Sequence, residues 1–393
     1  MFSKEILVEI NEKSWKKKSV PPWGLKAQPK QIVDIGQSLL LLGALTSPNG
    51  LSAGSPERYW ACVRYFSACA ATDDLRISLP FTNLDPHQRG ILSDDFGVAL
   101  SVNWLVEQLG GAKNIVDGRQ FIVNMGVRKS KKKIPKVGPG KCPDFVIEDK
   151  NGLMHVLECK GTQSGRSYLD RAMATGKEQK KGIRIEGGLR GESLVIGVLL
   201  SDERSRSSSR IVVVDPEPPA LTVVNARNKG RAQEVMKRLS FAKAINLSGF
   251  SRLAFEVAWP DSQGMGDTEM KLLTPMERRS AMSDPDDRWR AVQAELDLEL
   301  EGLRQEDQGA FSVKTVQVEI PAIKLDSGEI ARRLTIRRGI SAPAVLEFSQ
   351  DKRDVRSVLE QVAPGEQAIS IVTEGNHSRL DYGDLFFSEM IFD

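Results

Sequence analysis

Apolar residues recur along the chain with a strand period in some blocks and a helix period in others, divided by turn-forming residues. The least polar block, 193–200 (SLVIGVLL), predicts a strand buried on both faces at a sheet centre. Residues 142–161 (CPDFVIEDKNGLMHVLECKG) predict a hairpin. Pro143 opens the first strand, where its missing N–H costs little. Phe145, Val146 and Ile147 continue it, and Asp149-Lys150-Asn151-Gly152 supplies the turn. Residues 153–159 (LMHVLEC) resume the apolar run. Side chains alternate between faces, so Glu158 and Lys160 share one face and Cys159 takes the other. Folding about Asn151 sets Asp144 opposite Glu158.

Upstream, Val98, Leu100, Val102, Leu105, Val106 and Leu109 predict a helix over 94–109, with Asp94 or Asp95 as its cap and Gly110-Gly111 as its stop. Residues 121–127 (FIVNMGV) read as a strand, and 168–181 as a helix interrupted by Gly176. Before them, 32–45 and 59–71 suit helices, separated by a loop. After Ser201, short strands are expected at 211–214 and 221–224, and helical stretches at 232–239 and 241–244. Residues 259–282 read as a linker. Ser283-Asp284-Pro285 is a good start for an acidic helix reaching about residue 305. The rest alternates like a β-rich module (VKTVQVEI, RRLTIRRG, AVLEFS, AISIVTE), with a helix near 353–362.

Composition narrows the class. The chain has 393 residues, 40% hydrophobic and 27% charged, which suits globular structure with two or three domains. The apolar stretch 38–45 is too short to span a bilayer, and no signal-type segment follows the lysine-rich first twenty residues, so no membrane partner is expected. Cys62, Cys69, Cys142 and Cys159 lack metal-site spacing and read as reduced thiols of a cytoplasmic protein. With only His87, His155 and His377, histidine-based chemistry and zinc are disfavoured.

The net charge of +3 conceals an asymmetry. Between Arg128 and Arg184, 15 Lys and Arg face 6 Asp and Glu. The densest piece, RKSKKKIPKVGPGK (128–141), contains Lys129, Lys131, Lys132, Lys133 and Lys136 and leads into Pro143. A basic loop there suits backbone contacts to nucleic acid.

That setting gives the hairpin's charged residues a chemistry. A phosphodiester repels anionic nucleophiles. Mg²⁺ prefers oxygen ligands and keeps several waters, so Asp144 and Glu158 with a substrate phosphate suffice to hold it. A bound ion lowers the pKa of its water, and Lys160 beside it stabilises the charged transition state.

Pro143-Asp144 and Glu158-Cys159-Lys160 resemble the motif of the PD-(D/E)xK nuclease superfamily, which includes restriction endonucleases, Holliday junction resolvases and phage-defence nucleases. The resemblance covers residues 94–201 and implies a core of a helix, three antiparallel strands, a helix and a further strand. It implies an α/β fold, a restriction-endonuclease-like mixed sheet flanked by helices. The accompanying division is a helical N-terminal segment (1–93), a nuclease-like domain (94–258), the linker (259–282) and an α+β C-terminal module (283–393). It further implies catalytic roles for Asp144, Glu158, Lys160 and Gln179, the last on the helix after the Glu-x-Lys strand. An acid on the first helix, Asp95 or Glu107, would complete the metal shell. The resemblance implies Mg²⁺ or Mn²⁺ as cofactor and DNA in preference to RNA as substrate. The C-terminal module is expected to bind a protein partner or a second copy. The competing expectation is a non-catalytic nucleic-acid- or partner-binding protein on the same scaffold.

Overall fold

The computed structural model describes residues 3–15, 29–47, 64–126, 142–179, 183–215, 222–260, 262–303, 307–308, 311–348 and 368–393. The chain runs β1 (Ser3–Ile10), β2 (Lys30–Asp34), α1 (Ile35–Thr46), α2 (Pro86–Gln108), β3 (Ala112–Asp117), α3 (Gly118–Met125), β4 (Phe145–Asp149), β5 (Met154–Thr162) and α4 (Arg166–Gln179). It continues through β6 (Ile183–Ile185), β7 (Arg190–Leu199), β8 (Arg210–Val214), β9 (Thr222–Val224), α5 (Lys229–Leu247), α6 (Ser251–Ala258), α7 (Asp267–Leu272), α8 (Pro275–Met282) and α9 (Pro285–Leu303). The C-terminal part holds β10 (Asp307–Gln308), β11 (Phe311–Lys324), β12 (Ile330–Ser341), α10 (Ala342–Phe348), β13 (Ile369–Glu374), β14 (His377–Tyr382) and β15 (Phe386–Phe392).

Among the described residues the architecture is α/β: a mixed sheet of thirteen strands flanked by helices, ordered β10-β11-β12-β15-β14-β13-β3-β4-β5-β7-β8-β1-β2. β6 and β9 form a separate parallel pair. The strands β3, β4 and β5 form an antiparallel meander. β7, fed by the α4 crossover, lies parallel to β5, and β8 returns antiparallel to β7. As its apolar run implies, β7 sits inside the sheet with Leu194–Val198 buried. No helix among the described residues is long and apolar enough to cross a membrane.

Several elements differ from the sequence-based expectation. The helix carrying Asp94 and Asp95 starts at Pro86, because Pro fits the first turn and the Asp85 side chain accepts from His87 N and Gln88 N. Asp94 and Asp95 are therefore interior. The first strand is Ala112–Asp117, not 121–127. Asp117 caps α3 by accepting from Gln120 N, and the β-favouring run Phe121–Met125 packs as a helix with Phe121, Ile122 and Met125 buried. Residues 1–93 are not an all-helical segment. β1 lies parallel to β8 and antiparallel to β2, so this part of the chain builds a sheet edge. Of the expected helix at 59–71, residues up to 63 lie outside the described residues, and Phe66–Ala68 is a single 3₁₀ turn.

The stretches 232–239 and 241–244 merge into α5. Residues 259–282, read as a linker, carry α7 and α8, with Leu272, Leu273 and Ala281 buried. Residues 342–348 form α10 rather than a strand, with Pro343 in its first turn. The helix expected at 353–362 lies outside the described residues.

Candidate active site

The β4–β5 turn fixes the register of the hairpin. Asp149 Oδ1 accepts from Asn151 N and Leu153 N, both at 2.8 Å, and Gly152 adopts a φ of +77°. The ladder runs Glu148↔Met154, Ile147↔His155, Val146↔Val156 and Phe145↔Leu157. One step further along this register, Asp144 faces Glu158. The Cys159 backbone N–H donates to Asp144 Oδ2 at 2.7 Å. Lys160 Nζ forms an ion pair with Glu158 Oε1. Asp144, Glu158 and Lys160 are thus brought together.

Helices close on β5 from both sides. On the Cys159–Gly161 side, a Cβ on Gly161 would overlap the carbonyl oxygen of Ser93, and one on Gly97 would lie 2.7 Å from Gly161 N. Only glycine at both positions lets α2 approach so closely. On the opposite side α4 covers the charged pair. A Cβ on Gly176 would lie 3.0 Å from Glu158 Cγ and 3.3 Å from Lys160 Cε. Gly176 does not interrupt α4; it sits where the helix crosses Glu158 and Lys160.

Electrostatics reflect this enclosure. Glu158 is fully buried. Burial and the Asp144 charge push its carboxyl up to about 8, against the pull of Lys160. Its Oε2 has no hydrogen-bond partner among the described residues. Asp144 is also raised, first by burial, with Asp117 and Asp94 adding to the shift and the Cys159 N–H and Lys160 opposing it. On Lys160 burial is the largest single effect and lowers its pKa, but the charge and hydrogen bond of Glu158 together with the Asp144 charge outweigh it, so the net shift is upward.

The structure sets the acids of the first helix in different surroundings. Asp95 is turned to Tyr65, whose hydroxyl donates to Asp95 Oδ2. Glu107 accepts from Asn103 Nδ2 at 3.1 Å, and burial raises it to about 7. It lies thirteen residues beyond Asp94, roughly 20 Å along the helix. Asp94 is the acid whose charge acts on Asp144 and which Lys160 acts on in turn. Its neighbour Ser93 touches Gly161, so the glycine contact carries Asp94 to the end of β5. Gly97 within the helix and Gly161 directly after Lys160 were the available sequence signal.

Gln179 is the last residue of α4, about one turn beyond Gly176; its side chain lies outside the described residues. So do Lys129, Lys131, Lys132, Lys133 and Lys136. His155 has a structural role: its Nδ1 accepts from Glu192 N at 3.0 Å and its Nε2 lies 3.5 Å from Asp149 Oδ2. Cys69, Cys142 and Cys159 are buried free thiols; Cys62 lies outside the described residues.

Among the described residues, no group of three or more His, Cys, Asp and Glu converges as a metal cage. The donor set is instead two facing carboxylates, Asp144 and Glu158, the second with a buried oxygen lacking a hydrogen-bond partner, and two further carboxylates, Asp117 and Asp94, in electrostatic range of Asp144. That all-oxygen set fits a hard divalent cation that keeps most of its waters. No protein-family model, curated protein or solved structure matches the chain.

Proposed function

We propose that this chain is a Mg²⁺- or Mn²⁺-dependent endonuclease of the PD-(D/E)xK type, hydrolysing phosphodiester bonds of DNA in preference to RNA. One observation carries the reading. Glu158 is fully buried, has an unpartnered Oε2 and faces Asp144, with Lys160 paired to its other oxygen. A buried carboxylate beside a like charge is costly unless a cation neutralises it. The order α2, β3-β4-β5, α4, β7, with β7 parallel to β5, supports the restriction-endonuclease-like core.

Asp144 and Glu158 would hold the cation, with Asp94 beside them. When bound, such an ion neutralises charge on the phosphate and lowers the pKa of its water. The remaining roles belong to the chain. The Cys159 N–H fixes one Asp144 oxygen and so the direction of the other. Lys160, held near the two acids, places a permanent positive charge where the transition state gains negative charge. Cover from α4 keeps bulk water away from Glu158 and strengthens these interactions.

A second reading has its own observation. Lys160 already engages Glu158 Oε1, and no three-ligand group is present among the described residues, which suits a binding scaffold without catalysis. Incubation of supercoiled plasmid with Mg²⁺ or Mn²⁺, using the native chain and Lys160→Ala, separates the two. The nuclease reading expects cleavage by the native chain that disappears in the variant while DNA binding persists. Absence of cleavage of both DNA and RNA with either metal overturns it.

A further inference from the structure

The start of α3 is pressed against the residues that lead into the site. The Gly118 N–H donates to Asp144 O at 3.0 Å, and a Cβ on Gly118 would lie 2.2 Å from the Pro143 carbonyl oxygen. Only glycine permits that approach. The Asp144 main chain is thus held by Gly118 and its side chain by the Cys159 N–H. Whatever fixes Gly118 also fixes one of these two anchors of Asp144.

The next residue supplies that fixing. Arg119 Nη1 donates to Glu277 Oε2 at 2.7 Å and Nη2 to Glu277 Oε1 at 3.1 Å, a bidentate pair that specifies direction as well as strength. Nη1 also donates to Leu272 O at 2.9 Å, and Nε lies 3.9 Å from Asp117 Oδ1. Glu277 is in turn held by the cap of α8: its Oε2 accepts from Thr274 N at 2.8 Å, and its N–H donates to Thr274 Oγ1 at 3.2 Å. The Arg119 and Glu277 side chains are only 15% and 5% exposed. Burial pushes the Glu277 carboxyl up, but Arg119 and the Thr274 hydrogen bonds outweigh it and hold the group below its ordinary range, so the pair stays ionised. A second buried pair joins the same stretch of helices to the core, Arg288 of α9 with Glu256 of α6 at 2.8 Å. The other side-chain bonds of Arg288 go to Ser280 O and Ser283 O, not to the Pro143-Asp144 segment.

We propose that Arg119, clamped by Glu277, is a positioning residue for the Asp144–Glu158 site, through which the α7–α8 segment sets the Asp144 carboxylate. The inference rests on the reading of that site as the cation-holding one. The route is continuous: the α8 cap orients Glu277, Glu277 orients Arg119, Arg119 fixes the start of α3, and the Gly118 N–H fixes Asp144.

NMR of the full chain tests it, with the Cys159 amide resonance reporting on the carboxylate that accepts from it. Arg119→Met removes the pair and keeps an apolar stem, Arg119→Lys restores the charge without the fork, and Arg288→Met breaks the control pair. Both Met variants should lower the denaturation midpoint, since each leaves a buried carboxylate without its cation. Arg119→Met alone should shift the Cys159 amide. It should also weaken Mg²⁺ binding, read by calorimetry, about tenfold, and lower kcat for plasmid cleavage about tenfold with KM little changed. Arg119→Lys should recover part of each loss. If Arg119→Met does not fold, Arg119→Lys should still shift the amide and weaken Mg²⁺ binding, by less. A native Cys159 amide position in the folded Arg119 variants, or an equal shift in Arg288→Met, overturns the proposal. The amide is read without metal or nucleic acid, so a native chain that cleaves neither DNA nor RNA overturns the nuclease reading alone.

Discussion

The backbone N–H of Cys159 donates to Asp144 Oδ2 at 2.7 Å, so the strand that carries Glu158 also holds the opposing carboxylate. The two acids are thereby kept within reach of each other's charge, and the Asp144 charge is the second cause, after burial, of the raised Glu158 pKa. Asp144→Asn removes that charge while keeping an oxygen for the Cys159 N–H. The Glu158 carboxyl should then titrate below its native value of about 8, as read from the pH dependence of its side-chain carbon resonance. An unchanged titration would mean that burial alone sets the value.

Glu158 also predicts how stability depends on pH. Its folded pKa is raised, so the folded state holds the proton more tightly than the unfolded chain does. Stability should therefore fall as pH rises from the ordinary carboxylate range through about 8, and level off above it. The loss is on the order of a few kcal/mol, at about 1.4 kcal/mol per unit. Glu158→Gln lacks the titrating group. Its melting temperature should change less between pH 5 and pH 8 than that of the native chain, with metal excluded from both by chelator.

A divalent cation should reverse the same cost. At pH 8, Mg²⁺ at about 100 times its dissociation constant adds roughly 2.7 kcal/mol of stability by mass action. The rise in melting temperature should be large at pH 8 and small at pH 5.5, where the proton occupies Glu158. It should vanish in Glu158→Gln. Equal stabilisation of that variant by Mg²⁺ would locate the binding elsewhere.

The hairpin was legible because its register is set locally. The turn around Asn151 and the two-residue alternation brought Asp144, Glu158 and Lys160 to one place before any long-range contact was considered. β7 was legible from its unbroken apolar run. What failed depended on distant partners. β1 pairs with β8 across some two hundred residues, and no local pattern encodes that parallel ladder. The run at Phe121–Met125 favours a strand by composition, but the Asp117 cap and burial of one helical face override it. That Asp94 lies in electrostatic range of Asp144 and Lys160 was not legible, because the orientation of α2 is fixed by its contact with Gly161, not by the periodicity of the helix.

The glycine contacts separate folding from function. Gly161→Ala drives a methyl into the backbone oxygen of Ser93, which cannot move without shifting α2. It should destabilise the chain by at least about 2 kcal/mol or prevent folding. Gly176→Ala meets Glu158 Cγ and Val195 Cγ1 at 3.0 Å and Lys160 Cε at 3.3 Å, side-chain atoms that need shift only a few tenths of an ångström, and it gains up to about 1 kcal/mol of helix propensity. That variant should keep a near-native denaturation midpoint yet cleave plasmid at least about tenfold more slowly, a displacement of the site worth about 1.4 kcal/mol in barrier.

Asp94 and Asp95 are neighbours on α2 with different surroundings, and their variants should behave differently. Asp94 reaches solvent in electrostatic range of Lys160 and Asp144, whereas Asp95 is committed to Tyr65. Asp94→Asn should lower the cleavage rate at least about tenfold and raise the Mg²⁺ concentration needed for half-maximal activity, since a negative charge in electrostatic range of Asp144 is lost. Its denaturation midpoint should hardly move, because an exposed carboxylate contributes little to stability. Asp95→Asn replaces a charged acceptor of the Tyr65 hydroxyl with a neutral one. It should cost about 1 kcal/mol of stability, the scale of one buried hydrogen bond, and leave the Mg²⁺ dependence unchanged. If instead Asp95→Asn shifts the metal dependence and Asp94→Asn does not, α2 presents its other acid to the cation and Asp94 is a solvated surface charge.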